Sequence, residues 1–153
     1  MVKTINCDIF DSSATTILHV ANIYCSFGTG IAKEIRKRYP RAYQVDKMTK
    51  HADSSKIGQF TFAAADKNQE QSVANLYAMT GIGTSKRQLS YDALIECLEN
   101  LKSWMIKMEM DNEIIGIPYG MGAGLAGGDW IIVESIIQSI FTNSDFNVLI
   151  CKI

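Results

Sequence analysis

Residues 113–128 read EIIGIPYGMGAGLAGG, an apolar run that stops at Pro118 and opens into a loop with five glycines in nine residues. Two further stretches repeat the arrangement on a smaller scale. Residues 16–22 (TILHVAN) lead to Gly28-Thr29-Gly30, and residues 73–80 (VANLYAMT) lead to Gly81-Ile82-Gly83. Together the three loops hold nine of the chain's eleven glycines. Glycine lets the backbone come close to a ligand and adopt positive φ, so that peptide N–H groups converge on an anion. Two of the loops run straight into helical patterns, whose N-terminal ends add unpaired N–H groups and a favourable dipole. Loops at strand ends of an α/β chain are where ligands bind. The pattern predicts a site for a phosphate-bearing small molecule.

The rest of the chain supplies the elements such a site needs. Residues 2–7 and 16–22 read as strands, with a turn at 8–13 between them. A helix is predicted from about 30 to 39, with Ile31, Ala32 and Ile35 on one face and Pro40 as its stop. Residues 41–52 read as a second short helix. Strands follow at 57–65 and 71–80, joined by a polar turn at 66–69. The clearest helix spans 91–108, with Ser90 as N-cap and Leu94, Leu98, Leu101 and Met105 at helical spacing. A strand at 113–118 feeds the longest glycine loop, and Asp129 opens a helix through Phe141 with Ile132, Ser135/Ile136, Ser139 and Ile140 inward. Residues 146–151 make a last strand. Strands alternating with helices predict one three-layer α/β/α domain over residues 1–153, with a mixed, mostly parallel sheet.

Composition narrows the function. The chain is 47% hydrophobic and 20% charged, with a formal net charge of −1. No overall field would hold nucleic acid or an anionic membrane. Between Lys33 and Lys50, however, seven basic residues (Lys33, Arg36, Lys37, Arg38, Arg41, Lys47, Lys50) face two acidic ones. They read as a solvated helix face, with a patch for an anionic macromolecule as the alternative. Cys7, Cys25, Cys97 and Cys151 show no CxxC spacing, and there are two histidines, so no metal site is expected and no cofactor is implied. No apolar run reaches transmembrane length and the start MVKTINCDIF lacks a signal-peptide core. A reducing cytoplasm with free thiols is the expectation.

Known nucleotide motifs fit poorly. GTGIAK at 28–33 is GxGxxK and lacks the third glycine of a dinucleotide fingerprint. No GxxxxGK[ST] or GxSxG occurs. Four stretches in order do resemble the macro domain family across nearly the whole chain. Asn6-Cys7-Asp8-Ile9-Phe10 is similar to the family's opening V-x-G-D-I. His19-Val20-Ala21-Asn22 ahead of Gly28-Thr29-Gly30-Ile31-Ala32 resembles its V-N-A-A-N…G-G-G-V-A segment. The basic helix closing in Arg38-Tyr39-Pro40 matches, as does the loop from Ile117 to Trp130.

The resemblance implies ADP-ribose, or a derivative such as ADP-ribose 1''-phosphate, as the ligand. It assigns Asp8 to the adenine amino group with the Ile9 backbone beside it, and Asn22 to the distal ribose. Gly28, Thr29, Gly30 and Ile31, with Gly122, Ala123, Gly124 and Leu125, correspond to the two loops that cradle the diphosphate. Thr80 and Gly81 fall at the pocket wall. Within the family, the positions of the lysine and aspartate used by the terminal ADP-ribose glycohydrolase branch are Gly81 and Ala126 here, so that chemistry is not expected. The compact chain with His19 looks more like the branch that cleaves ADP-ribose 1''-phosphate. His19 is therefore a candidate acid, base or nucleophile at the distal ribose. The competing reading is a strand-end histidine satisfied by its neighbours. Asp129 is a candidate acid catalyst or a helix N-cap. The expected function is hydrolysis of an ADP-ribose derivative, with a non-catalytic ADP-ribose reader as the alternative. An ADP-ribosylated protein or nucleic acid is a possible partner; a membrane is not.

Overall fold

Strand β2 (Thr16–Asn22) is apolar on both faces, and such a strand needs cover on both sides. It sits inside a six-stranded sheet with β1 (Val2–Asn6), β3 (Phe60–Ala63), β4 (Ser72–Met79), β5 (Ile114–Pro118) and β6 (Asn147–Lys152). The order is β1-β6-β5-β2-β4-β3, and every neighbouring pair runs parallel except β3 with β4. The computed structural model describes residues 1–81 and 86–153. Of the Gly81-Ile82-Gly83 loop, Ile82 and Gly83 lie outside the described residues.

Alternate residues of the strands feed two cores. Ile17, Val73 and Leu149 pack with Ile35 of α1 (Gly30–Arg38) and Ala42 of α2 (Pro40–Lys47). Leu18, Ala74, Leu76 and Ile150 pack on the opposite face with α3 (Tyr91–Lys107) and α4 (Trp130–Phe141). The result is the three-layer α/β/α architecture with a mostly parallel sheet that the sequence predicts.

Several boundaries move for local reasons. Pro40 ends α1 and immediately becomes the first residue of α2, where a missing N–H costs nothing. α2 stops at Lys47 rather than 52. β3 covers only 60–63 of the expected 57–65, because Ser54–Lys56 forms a 3-10 turn and Gly58 takes φ +88°. The inward face of α4 is also corrected. Val133, Ile137, Ile140 and Phe141 are buried, whereas Ile132, Ser135 and Ser139 are exposed. Ile131, Ile132, Val133, Ile136, Ile137 and Ile140 wrap most of that helix, so its periodicity alone does not choose a face.

One glycine is dictated by packing rather than by a turn. A Cβ on Gly116 of β5 would lie 2.6 Å from the Ala14 Cβ and 3.2 Å from Ile9 Cγ1. Neither a methyl stub nor the buried Ile9 has room to retreat. Gly116→Val is expected to destabilise the fold by about 1–3 kcal/mol through overpacking, measured by urea unfolding. Unchanged stability would mean that the turn holding Ile9 is free to shift.

Candidate functional site

β2 and β5 are neighbours, but their chains leave in opposite directions. β2 leads to α1 on one face of the sheet, and β5 leads to α4 on the other. Such a switch point leaves a crevice at the strand ends. The ladder here pairs Thr16 with Ile115 and Ile17 with Gly116, and no pairing continues toward the C-terminal ends. A chamber of about 640 Å³ occupies that crevice, lined by Val20, Ala21 and Asn22 on one side and Pro118 and the following loop on the other. A second chamber of about 490 Å³ adjoins it, and the two share Ile31, Pro118 and Tyr119.

The larger chamber is walled by the two glycine loops. Gly28, Thr29, Gly30 and Ile31 line one side, and Gly122, Gly124 and Leu125 line the other. Helix α1 opens into it without a side-chain cap, whereas Ser90 caps α3 and Asp129 caps α4. Its first N–H groups are left for water or a ligand. In the long loop, the N–H groups of Met121, Ala123, Gly127 and Gly128 close internal turns at 2.8–3.0 Å. Those of Gly122, Gly124 and Leu125 have no backbone partner among the described residues. The loop thus spends four donors on its own shape and leaves these three without a backbone partner. Ala123, expected among the ligand contacts, belongs to the first set and does not line the chamber.

Asp8 and Ile9 line the smaller chamber together with Phe10, Glu34, Arg38, Cys151 and Lys152. One carboxylate oxygen of Asp8 accepts from the Phe10 N–H at 3.0 Å, capping the 3-10 turn Ile9–Asp11. The carboxylate is therefore fixed in position and keeps its other oxygen available. Asn22 lines the larger chamber. Its Oδ1 accepts from Tyr24 N–H at 2.9 Å and its Nδ2 donates to Ser26 carbonyl at 3.2 Å. An amide has two N–H donors and two acceptor lone pairs, so one of each stays free.

His19 stands elsewhere. It is fully buried on the α1 face of β2, its ring centroid 5.1 Å from that of Phe27 in an edge-on arrangement, and it does not line the chamber. Its Nε2 lies 2.6 Å from Asn75 Oδ1. Asn75 already donates both amide hydrogens, to Ala42 carbonyl and Thr61 Oγ1, so its oxygen must accept. Nε2 then carries the proton, and Nδ1 has no partner among the described residues. Burial pushes the imidazole down to about 4, with the Asn75 bond working weakly the other way. A neutral, enclosed ring is not positioned for proton transfer at a ribose, and Phe27 stands where His19 was expected.

The other expectations divide in the same way. Asp129 accepts from Ile131 N–H at 2.9 Å as the N-cap of α4 and does not line the chamber. Thr80 and Gly81 are turned toward Gln88: Thr80 N–H donates to its carbonyl at 2.8 Å, and a Cβ on Gly81 would lie 2.3 Å from Gln88 Oε1. Met79 lines the wall instead. The basic run is mostly tied into its own surface. Arg36 stacks 3.9 Å from the Tyr43 ring centroid, Arg38 pairs with Glu34 at 3.0 Å, and Arg41 pairs with Asp66. All four cysteines are free, and burial pushes the Cys97 thiol up to about 12. Among the described residues no helix is long and apolar enough to cross a membrane.

Sequence reasoning missed Tyr119, which borders both chambers. Its ring packs 4.9 Å from the Trp130 ring centroid, and Lys152 Nζ lies 4.5 Å from its own centroid. The signal was present: Tyr119 directly follows the strand-ending Pro118 and opens the long glycine loop, and its own N–H still donates to the Cys151 carbonyl at 2.9 Å, which holds it at the strand end.

No protein-family model matches the chain. Over 158 aligned residues it is 27% identical to an ADP-ribose 1''-phosphate phosphatase of Lodderomyces elongisporus, spanning 97% of this chain and 98% of the relative. The macrodomain of Mycobacterium tuberculosis DarG superposes with a TM-score of 0.81 at 17% identity, covering 100% of this chain and 98% of that one. Thermosipho africanus DarTG in complex with ADP-ribose gives 0.77 at 18% identity, covering 98% of this chain and 41% of that one. With this strand order, the crevice between β2 and β5 and these superpositions, the chain has the macrodomain fold.

Proposed function

We propose that the protein binds ADP-ribose across the two chambers and hydrolyses a conjugate at the distal ribose. Adenine sits by Asp8, the diphosphate lies between the two glycine loops, and the distal ribose reaches Asn22. The observation that carries the reading is the pairing of uncapped α1 with the free N–H groups of Gly122, Gly124 and Leu125 across one chamber. Donors from two sides suit a diphosphate, and the adjoining chamber with a fixed carboxylate suits a base bearing an amino group. The solved DarTG complex with ADP-ribose supports the ligand, and the relative named as a phosphatase supports turnover.

With His19 and Asp129 engaged elsewhere, a water is the attacking group. The free donor and acceptor of Asn22 hold the ribose or that water, and the ligand's own diphosphate oxygens are the nearest negative charge. The second reading, a reader without turnover, is favoured by one observation: apart from Tyr119, no ionisable side chain lines the larger chamber among the described residues. Incubation with a panel of ADP-ribose conjugates, followed by chromatography, separates the two. Binding of every conjugate with release from none makes the protein a reader. In the enzyme, Asn22→Ala is expected to weaken binding and turnover together.

The ligand itself is tested by thermal unfolding. ADP-ribose at a hundred times its Kd is expected to stabilise by about 2.7 kcal/mol, with NAD doing much less. Asp8→Ala removes a charge-assisted hydrogen bond and is expected to lower affinity about tenfold or more, read by titration calorimetry. An inosine analogue, which presents a carbonyl in place of the amino group, is expected to bind the unaltered protein poorly. Equal binding of the two bases would remove Asp8 from the site.

A further inference from the structure

Cys25 directly precedes Ser26, Phe27 and Gly28, which line the larger chamber, but it lines neither chamber itself. It is half-buried and holds φ +55°, a left-handed conformation uncommon outside glycine. Its sulfur meets a polar cluster instead. Lys56 Nζ lies 3.8 Å from Cys25 Sγ and donates to Thr49 Oγ1 at 2.8 Å, and Thr49 Oγ1 stands 3.6 Å from the same sulfur. Lys56 is only 8% exposed, a degree of burial that lysine seldom reaches without a counter-charge. That charge is Asp46, fully buried, with one carboxylate oxygen on the Tyr77 hydroxyl and the other without a hydrogen-bond partner among the described residues. The other thiols lack such company. Cys97 and Cys151 are buried against backbone carbonyls, and Cys7 Sγ donates to the Asp8 carbonyl at 3.3 Å.

We propose that Cys25 and Lys56 form a reversible cross-link, a sulfur–nitrogen bond closed by hydrogen peroxide. The thiol sulfur attacks the peroxide, the O–O bond breaks, and one oxygen stays on sulfur as a sulfenic acid. The leaving hydroxide takes a proton from the Lys56 ammonium and departs as water. Lys56 is then a neutral amine beside an oxidised sulfur, and sulfenic acids condense with a neighbouring nitrogen. The amine attacks sulfur, the S–O bond breaks, and a second water leaves with a proton from nitrogen. The thiol proton ends on Asp46, whose buried carboxylate has lost its cation, so the charges balance. Sulfur gives up two electrons and the peroxide takes them. The flexible four-carbon stem of lysine supplies the reach to close the 3.8 Å gap. The link also halts the sulfur before the sulfinic acid, an irreversible, anionic product that would sit one residue from the chamber lining.

Peptide mapping by mass spectrometry after brief treatment with hydrogen peroxide tests this. The unaltered protein is expected to yield a peptide pair joining Cys25 to Lys56, about two hydrogens lighter than its parts and separated again by dithiothreitol. Treatment in urea is expected to abolish the pair, because the folded cluster sets the contact. Lys56→Arg keeps a cation but brings no condensing amine, and it is expected to carry sulfinic oxygen on Cys25 in place of the link. Oxygen on Cys25 with Lys56 unlinked in the folded, unaltered protein overturns the proposal. A link from Cys25 to any other lysine, or a Lys56 link that forms equally in urea, overturns it too. Cys25 left unmodified while Cys7 is oxidised overturns it as well, since the cluster would then shield the sulfur rather than trap it.

Discussion

Gly124→Phe is expected to lose ADP-ribose binding by more than about a hundredfold while leaving thermal unfolding unchanged, because it builds a steric block into the ligand path alone. A Cβ at Gly124 would meet nothing within 4 Å, and its φ lies outside the left-handed region. The ring therefore has no wall to push against except the chamber that Gly124 lines. Gly122 offers no such clean test. It has φ +76°, and a Cβ there would lie 2.9 Å from Leu89 Cδ2, so a bulky residue disturbs the core first. Gly124→Ala serves as the control and is expected to bind nearly normally. Retained affinity in Gly124→Phe, measured by calorimetry, would show that the long glycine loop shapes the fold without touching the diphosphate.

The second large effect concerns pH. Burial holds His19 at about 4, below its ordinary value of 6.5, so the folded protein favours the neutral ring. Its contribution is complete above pH 6.5 and is lost as pH falls toward 4, where the unfolded chain binds the proton and the folded one does not. Between pH 7.5 and 4.5 the fold is expected to lose about 2–3 kcal/mol from this residue, read as a fall in the urea midpoint. Asp46 works in the opposite sense. Its carboxyl is held up by burial, with the Tyr77 hydroxyl at 2.6 Å and Lys56 pulling it back, so acid relieves a charged buried group. His19→Gln, which keeps an amide able to donate to Asn75, isolates the histidine. Its pH dependence is expected to be flatter than that of the unaltered protein, and equal slopes would assign the acid sensitivity elsewhere.

Much of this was legible in the residues. Two of the three strand-to-glycine junctions, those after β2 and β5, located the crevice, whereas Gly81 of the third is turned toward Gln88. The α3 pattern of Leu94, Leu98, Leu101 and Met105 was read correctly, since it has one apolar stripe and a Ser90 cap. α4 misled because isoleucine occupies most of its circumference, and only the sheet beneath decides which side is buried. His19 misled for a related reason. A polar residue beside a glycine loop invites a catalytic role, yet His19 shares one face of β2 with Ile17, and both are fully buried beneath that face's cover. Which loop N–H groups are spent on turns, as in Ala123, depends on a fold of the loop that no spacing rule encodes.

The edge position of β1 sets a schedule for the ribosome. Its one neighbour in the sheet is β6, and the Met1 amine donates to Phe146 carbonyl across 145 residues of sequence. At 5–20 residues per second, β1 waits on the order of ten seconds for its partner. Through that interval the walls at Cys151 and Lys152 do not yet exist, so Asp8 and Ile9 face open solvent, and β5, once made, presents an unpaired edge until β6 follows. A nascent chain released before β6 would carry the glycine loops but not the smaller chamber, and with them an apolar strand edge open to other chains.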